Sequence, residues 1–275
     1  INKLNNFIPD AVIGHFYNPQ LELVSKLKYF YPQVRTSVVW HESPNLIKKT
    51  FAKNYLEYIN NLDVIGFRSN KFKREFETIF GLKYKTYICP SGVPEEFVNS
   101  NYKKFKNKIW KFCFVGQLIP LKRVVDILDA LHKAFPQKNF ELVIAGEGFE
   151  RENLEKKVKL LGIQSNVIFS GKKTRDEVNS IMNEADCFVM VSETEAFGLV
   201  YLEAMGKGCI TIGTKGQGID GVIVNGENGF LCEAKNSDNL AEIFKHIYSL
   251  PPDKLSDISK NALETAKNMT DHKVA

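Results

Sequence analysis

Two carboxylates bracket the start of a predicted helix in the segment SETEAFGLVYLEAMGKGC, residues 192–209. Glu195 lies on the loop before the helix, Gly198 at its start, and Glu203 in its second turn. A helix N-terminus has unpaired backbone N–H groups and a partial positive charge, so it binds phosphate. Gly198 has no side chain to keep a diphosphate from that backbone. The spacing therefore predicts a phosphate site.

The two carboxylates would serve different parts of such a ligand. Glu203 could accept hydrogen bonds from the two vicinal hydroxyls of a ribose, and Glu195 from a sugar beyond the phosphates. The alternative is that Glu195 is only an acid favoured by the helix dipole and Glu203 a surface residue.

Around this window the chain has the pattern of a parallel sheet covered by helices, because short apolar runs alternate with longer segments of helical period. A capping box at Thr174 and Glu177 marks one helix start, and Ser69 is the predicted cap of another. The predicted strands are 11–14, 37–40, 64–66, 86–88, 112–115, 140–145, 167–169, 187–191 and 210–212. The predicted helices are 20–29, 51–60, 70–80, 123–134, 151–161, 174–184 and 199–205, with more helix from 237 onward.

The segment NSNYKKFKNK, residues 99–108, is polar and basic and has no apolar periodicity. It is predicted to be a solvated linker, although its lysines could also attract acidic lipid. The predicted domains are therefore 1–108 and 109–275.

Composition narrows the class of protein. The chain of 275 residues is 44% hydrophobic, which suffices for buried cores. It has no run of about 18 apolar residues, as a membrane-spanning helix needs, and residues 1–10 do not resemble a signal peptide. We therefore predict a cytoplasmic protein, with contact at the inner face of the membrane left open. The five cysteines lack CxxC spacing and are predicted to be reduced core residues, and a net charge of +5 selects no partner.

The window around Glu195 resembles the E-x7-E signature of family 4 glycosyltransferases of the GT-B fold, which reads E-G-F-G-L-x-x-L-E-A-M. Residues 195–205 read EAFGLVYLEAM, with Ala196 in place of the usual glycine. Other motifs of the family match in the same order along the chain, which makes the signal strong. They are VGQL with a following lysine at 115–122, AGEG at 145–148, NVIFSG at 166–171 and GENGFL at 226–231.

The resemblance implies an α/β fold of the GT-B type, with two Rossmann-like domains built on parallel sheets. The first domain is expected to be incomplete, because in the family a strand, a glycine-rich loop and further βα units precede a segment like residues 9–12. A chain without those units is expected to bind nucleotide but to transfer sugar poorly.

The resemblance also implies roles for single residues. Lys122 would neutralise the donor diphosphate, Glu203 would hold the ribose and Glu195 the transferred sugar. His41 resembles the histidine that the family brings toward the sugar, although alone it could be a hydrogen-bonded loop residue; His15 is a less favoured candidate. The predicted catalytic residues are Glu195, Lys122 and His41, and the predicted donor-binding residues are Gly116, Gln117, Lys122, Gly146, Gly171, Phe197, Gly198, Leu199 and Glu203.

Two segments depart from the family pattern. Gln117 stands where the family usually has arginine, so one charge facing the diphosphate is absent. Residues 216–221 read GQGIDG where the family commonly has G-G-x-x-E, so no acidic role is assigned there.

The implied reaction transfers a hexose, with retention of configuration, from a nucleoside diphosphate sugar of the UDP or GDP type. The acceptor would be a glycan or a lipid-linked glycan in surface polysaccharide synthesis. No metal, separate cofactor or nucleic acid is implied, because Lys122 and the helix terminus carry the charge. A catalytically silent nucleotide-sugar-binding module is the alternative. A Rossmann oxidoreductase is disfavoured, because residues 146–148 lack the third glycine of GxGxxG.

Overall fold

The computed structural model of the chain describes residues 9–17, 19–47, 54–106 and 110–274. The chain divides into two compact units, Ile1–Pro90 and Ser91–Ala275. Within the described residues each unit has one parallel sheet, and helices lie between most successive strands, which confirms the predicted α/β class. Among the described residues, no helix is both long enough and apolar enough to cross a membrane.

The first unit contains a four-stranded sheet in the order β1-β2-β3-β4, with every neighbouring pair parallel. Trp40 is fully buried and packs against Phe67 and Phe76, with ring centroids 5.8 and 5.2 Å away. The described strands are β1 (Ala11–His15), β2 (Arg35–Trp40), β3 (Val64–Phe67) and β4 (Thr86–Ile88), and the helices are α1 (Gln20–Phe30), α2 (Tyr55–Asn60) and α3 (Asn70–Phe80).

The second unit contains a six-stranded parallel sheet in the order β10-β9-β8-β5-β6-β7. The strands are β5 (Lys111–Val115), β6 (Glu141–Ala145), β7 (Val167–Gly171), β8 (Cys187–Val189), β9 (Ile210–Thr214) and β10 (Phe230–Cys232). The helices are α4 (Val124–Ala134), α5 (Arg151–Leu161), α6 (Arg175–Glu184), α7 (Leu199–Gly206), α8 (Ser237–Ser249), α9 (Pro252–Lys267) and α10 (Asp271–Val274).

The strand order of the second unit reverses direction between β5 and β8. The chain adds β6 and β7 on one side of β5, and then β8, β9 and β10 on the other. In open parallel sheets a ligand binds in the crevice at the carboxyl ends of the strands where the order reverses. This topology therefore points to the loops that follow β5 and β8.

The two helix caps predicted from the sequence, at Thr174 and Ser69, are present in the structure. The Thr174 hydroxyl accepts from the Glu177 N–H at the start of α6, and the Glu177 carboxylate accepts from the Thr174 N–H, which completes the capping box. Ser69 likewise accepts from the Phe72 N–H at the start of α3. These bonds satisfy backbone donors that a helix start leaves without partners.

The described part of the predicted linker, residues 99–106, lies within the second unit and packs against its other elements. The Asn99 N–H donates to the Gly206 carbonyl over 2.8 Å. The Lys103 ammonium donates to three carbonyls at the C-terminal end of α6, those of Met182, Asn183 and Ala185. Such carbonyls lack partners within the helix, so the lysine caps it. The boundary between the compact units accordingly falls at Pro90, before the segment that the sequence suggests.

The core of the second unit is continuous and includes most of the cysteines. Cys113, Cys187, Cys209 and Cys232 are buried free thiols on or beside the strands, while Cys89 of the first unit is half-buried. Burial raises the pKa of Cys232 to about 12, so this thiol is not reactive at neutral pH. The cysteines act as small apolar core residues, as predicted.

Candidate functional site

A cavity of about 420 Å³ opens where the sheet order of the second unit reverses, between the loops after β5 and β8. It is lined by the predicted residues Gly116, Gln117, Lys122, Glu195, Gly198, Leu199 and Glu203. A neighbouring cavity of about 410 Å³ shares Gly116 and Gln117 and is lined further by Gly146 and Glu147. Gly171 adjoins it, since the Gly146 N–H donates to the Gly171 carbonyl over 2.8 Å. Phe197 lines neither cavity and is buried, with 4% of its surface exposed.

Helix α7 begins at this cavity with Gly198 in the left-handed conformation, at φ 79°. A Cβ on Gly198 would lie 2.6 Å from the Tyr201 ring and 3.2 Å from Glu195 Cγ. None of the described side chains caps this helix. The Tyr201 N–H donates to the Gly198 carbonyl over 3.0 Å, so the N–H groups of Leu199 and Val200 are the ones available to an anion. Glycine is required at 198 both for the turn and for the space.

Lys122 and Glu195 form an ion pair in this cavity, with Nζ 2.6 Å from Oε2. Lys122 ends a short 3-10 turn, Pro120–Lys122, in the loop after β5. The Glu193 N–H donates to the Leu121 carbonyl over 2.8 Å, which holds the two loops together. The two side chains expose 20% and 14% of their surface, respectively. A phosphate that approaches Lys122 would thus meet a cation already partly removed from water.

Glu203 lies in the same cavity in a different environment. Within the described part of the chain, its carboxylate accepts no hydrogen bond. Burial raises its pKa, and the charges of Arg175 and Lys207 oppose that rise. Because no described group donates to this carboxylate, a ligand's donors would compete only with water for its oxygens. The arrangement suits hydroxyl groups that donate to both oxygens.

Residues outside the predicted set also line the cavity, among them Phe97, Lys173 and Arg175. The Arg175 guanidinium lies over the Phe97 ring, 4.9 Å from its centroid. Lys173 is paired with Glu177 over 2.8 Å, whereas Arg175 forms no ion pair among the described residues, although its charge acts on Glu203. Arg175 follows the capping-box threonine and is therefore the first residue of α6. The capping box in the sequence could have placed Arg175 at the carboxyl edge of the sheet. Nothing in the sequence marks Phe97.

His41 and His15 contact each other in the first unit, at the carboxyl ends of β2 and β1. His15 Nδ1 lies 3.1 Å from His41 Nε2, and the Phe16 ring stacks on His41 at 4.1 Å. Burial, Arg68 and His15 lower the pKa of His41 to about 4. His41 is therefore neutral at pH 7, so one ring of the pair donates and the other accepts. The structure does not test the predicted catalytic role of His41.

Comparisons with known proteins identify the family of the chain. The family model described as "Glycosyl transferases group 1" matches residues 95–265. N-acetyl-alpha-D-glucosaminyl L-malate synthase of Bacillus anthracis is 38% identical over 122 residues, which are 44% of this chain and 32% of that protein. The lipopolysaccharide core biosynthesis glycosyltransferase LpsE of Rhizobium meliloti is 31% identical over 181 residues, 58% of this chain and 53% of that protein.

A solved structure shows the fold. HepE of Anabaena in complex with UDP superimposes with a TM-score of 0.80 at 19% identity, covering 96% of this chain and 76% of that chain. The likeness confirms the predicted fold of the GT-B type with Rossmann-like units. The chain spans about a third and about half, respectively, of the two curated relatives described above. Since the family model matches more than half of its residues, the chain belongs to the group 1 family of glycosyl transferases.

Proposed function

We propose that this chain binds a nucleoside diphosphate sugar of the UDP or GDP type and belongs to a retaining, metal-independent hexosyltransferase. The observation that best supports the proposal is the 420 Å³ cavity, where Lys122, Glu195 and Glu203 converge on the N-terminus of α7. A helix terminus with an adjacent lysine is suited to phosphate, and carboxylates are suited to hydroxyl groups. No single residue of the set would support the same conclusion.

Each part of the donor has a matching group in this proposal. Glu203 accepts from the ribose hydroxyls, Lys122 and the α7 terminus bind the diphosphate, and Glu195 accepts from the hexose. The 2.6 Å contact between Lys122 and Glu195 fits this order, because the hexose is bonded directly to the second phosphate. As the bond to the hexose breaks, negative charge grows on that phosphate, and the cationic groups stabilise it without a metal.

The acceptor that we propose is a glycan or a lipid-linked glycan in surface polysaccharide synthesis. LpsE, whose name places it in lipopolysaccharide core biosynthesis, supports this choice. The Bacillus anthracis relative, whose name specifies L-malate, favours a small acceptor instead. The cytoplasm remains the proposed location, with contact at the inner face of the membrane left open.

Thermal-shift and calorimetric titration of the 275-residue chain test donor binding. The panel contains UDP, GDP, UDP-glucose, UDP-N-acetylglucosamine and GDP-mannose, with NAD as the control for an oxidoreductase. We expect one nucleotide series to bind, EDTA to leave its affinity unchanged, and NAD not to bind. Binding of NAD alone would refute the proposal.

Turnover distinguishes an enzyme from a silent binding module. A radiolabelled form of the sugar nucleotide that binds is incubated with lipid-linked glycan or with L-malate as acceptor. The anomeric configuration of the product is then read by NMR. Inversion would contradict the retaining mechanism, and turnover on either acceptor would exclude the silent module.

A further inference from the structure

The turn after β9, residues 216–221, packs closely against the loop that carries Glu195. The Gly218 N–H donates to the Glu195 carbonyl over 3.1 Å. A Cβ on Gly218 would lie only 2.0 Å from the Ala196 carbonyl oxygen and 2.5 Å from the Phe197 nitrogen. No side chain fits between these backbones, so the loop and the turn form one packed unit.

Gln217 adds a side-chain bond to this contact. Its Oε1 accepts from the Glu195 N–H over 3.0 Å. Gln217 is itself held in the turn, since its N–H donates to the Thr214 carbonyl over 3.2 Å and its carbonyl accepts from the Asp220 N–H over 2.9 Å. The Asp220 carboxylate in turn accepts from the Gly216 N–H over 2.5 Å. The backbone of Gln217 is therefore held in the turn before any ligand binds, and its side-chain oxygen is bonded to the Glu195 N–H.

Both backbone polar groups of Glu195 are consequently held by this turn, its N–H by Gln217 and its carbonyl by Gly218. Its carboxylate is held separately, by Lys122. The direction of the Glu195 side chain depends on its backbone, which the turn constrains. The turn is also the segment GQGIDG that departs from the family pattern, and Gln217 is part of that departure.

We infer that Gln217 is a positioning residue that directs the Glu195 carboxylate toward the transferred hexose. The inference rests on the proposed function, because the contact between Glu195 and the hexose is itself proposed. Gln217 does not line the cavity, so it acts on the ligand only through Glu195. It should affect recognition of the sugar and leave recognition of the nucleotide unchanged.

Two variants distinguish the effect of the hydrogen bond between Gln217 and Glu195 from the effect of the shape of the Gln217 side chain. Gln217→Met keeps the length but removes the acceptor, whereas Gln217→Glu keeps an oxygen in the same place. Gln164→Met, at an exposed position after α5, is the matched control. Each variant of the 275-residue chain is studied by amide-resolved hydrogen exchange and by titration with UDP and UDP-glucose, and with GDP and GDP-mannose.

We expect Gln217→Met to speed exchange of the Glu195 amide at least about threefold, since one hydrogen bond is lost. The affinity gained by adding the sugar to the nucleotide should fall about five- to tenfold, while the affinity for UDP or GDP alone stays the same. Gln217→Glu and Gln164→Met should resemble the unmodified chain in two respects: the exchange rate of the Glu195 amide and the affinity gained by adding the sugar.

Unchanged exchange at Glu195 in Gln217→Met would overturn the inference. So would an unchanged sugar contribution in that variant when Glu195→Ala abolishes it. Equal losses for nucleotide and sugar nucleotide would indicate general loosening of the cavity, which also contradicts a positioning role. If the unmodified chain binds none of the probes, the proposed function fails first, and the inference fails with it.

Discussion

At the scale of single residues, the two carboxylates of the cavity differ in their partners. Glu195 is already paired with Lys122, while no described residue donates to the Glu203 carboxylate. This difference agrees with the separate roles proposed for the two residues. The hydroxyl groups of a ribose need acceptors without other partners, as Glu203 offers. A hexose bonded to a phosphate would instead lie beside the ion pair of Lys122 and Glu195. Burial also raises the pKa of Glu203, so its capacity as an acceptor should weaken in acid.

Glu203→Ala should weaken binding of the bare nucleoside diphosphate about 10- to 100-fold, because hydrogen bonds to a charged acceptor are lost. Glu195→Ala should leave that affinity within about threefold and remove the preference for the sugar nucleotide. Calorimetry with both ligands measures the effect. Glu193→Ala is the control, since Glu193 pairs with Lys235 and does not line the cavity. If Glu195→Ala and Glu203→Ala lose the same nucleotide affinity, the two residues do not have separate roles.

Gln117→Arg should tighten binding of a nucleoside diphosphate more than of a monophosphate. Gln117 lines both cavities, and arginine there would add a charge that binds phosphate in a bidentate manner. We expect about a tenfold gain for UDP or GDP and less than half that factor for UMP or GMP. Gln137→Arg, at an exposed position, controls for the added net charge. The same factor for both ligands would show that Gln117 does not face the second phosphate.

His41 should make the protein less stable in mild acid. Its pKa is lowered to about 4 in the folded state, from an ordinary value of 6.5. Between these values the unfolded chain binds more protons, so stability is fully present above about pH 6.5 and is lost as pH falls toward 4. Urea unfolding at pH 7 and pH 5, with ring titration by NMR, measures this. His41→Gln should reduce the pH dependence; a ring that titrates above pH 6 would contradict it.

At the scale of elements, the site depends on glycines that let neighbouring loops approach closely. Gly146, at the end of β6, has φ 150°, and a Cβ there would lie 1.8 Å from the Gly116 carbonyl oxygen. Gly226 also has a positive φ, of 80°, but no atom lies within 4 Å of its Cβ position. The two glycines therefore separate the effect of crowding from that of backbone conformation.

Gly146→Ala should destabilise the protein by about 3 kcal/mol and weaken nucleotide binding, because the loop after β5 has to move. Gly226→Ala should cost only about 1 kcal/mol and leave binding unchanged. Chemical unfolding and nucleotide titration measure both effects. Normal nucleotide affinity in a folded Gly146→Ala variant would show that this contact does not shape the site.

At the scale of the whole molecule, the residues that line the 420 Å³ cavity all belong to the unit Ser91–Ala275. That unit has its own six-stranded sheet and its own buried core. A fragment of residues 91–275 should therefore fold cooperatively and bind the nucleoside diphosphate within about threefold of the whole chain. Circular dichroism and calorimetry measure this. A folded fragment that does not bind would mean that residues 1–90 contribute to nucleotide affinity.

Much of the fold could be predicted from the sequence because its signals are local. Short apolar runs predict nearly every strand, and the Thr174 capping box sets a helix start within a few residues. β10 was not predicted, because its three residues form a strand only through pairing with β9. The predicted strand at 187–191 ends at Val189, since pairing with β9 rather than hydropathy sets its length.

The sequence by itself determined which residue types stand at the carboxyl ends of the strands, because motif spacing and strand periodicity depend only on residues close together in the chain. Only the tertiary structure decided which of them meet. Lys122 and Glu195 are 73 positions apart and make contact because β5 and β8 are neighbours in the sheet. Arg175 over Phe97, and Gln217 bonded to Glu195, likewise depend on elements brought together by packing. Such contacts arise from the order of strands and the shape of the core, and no local pattern of residues records either.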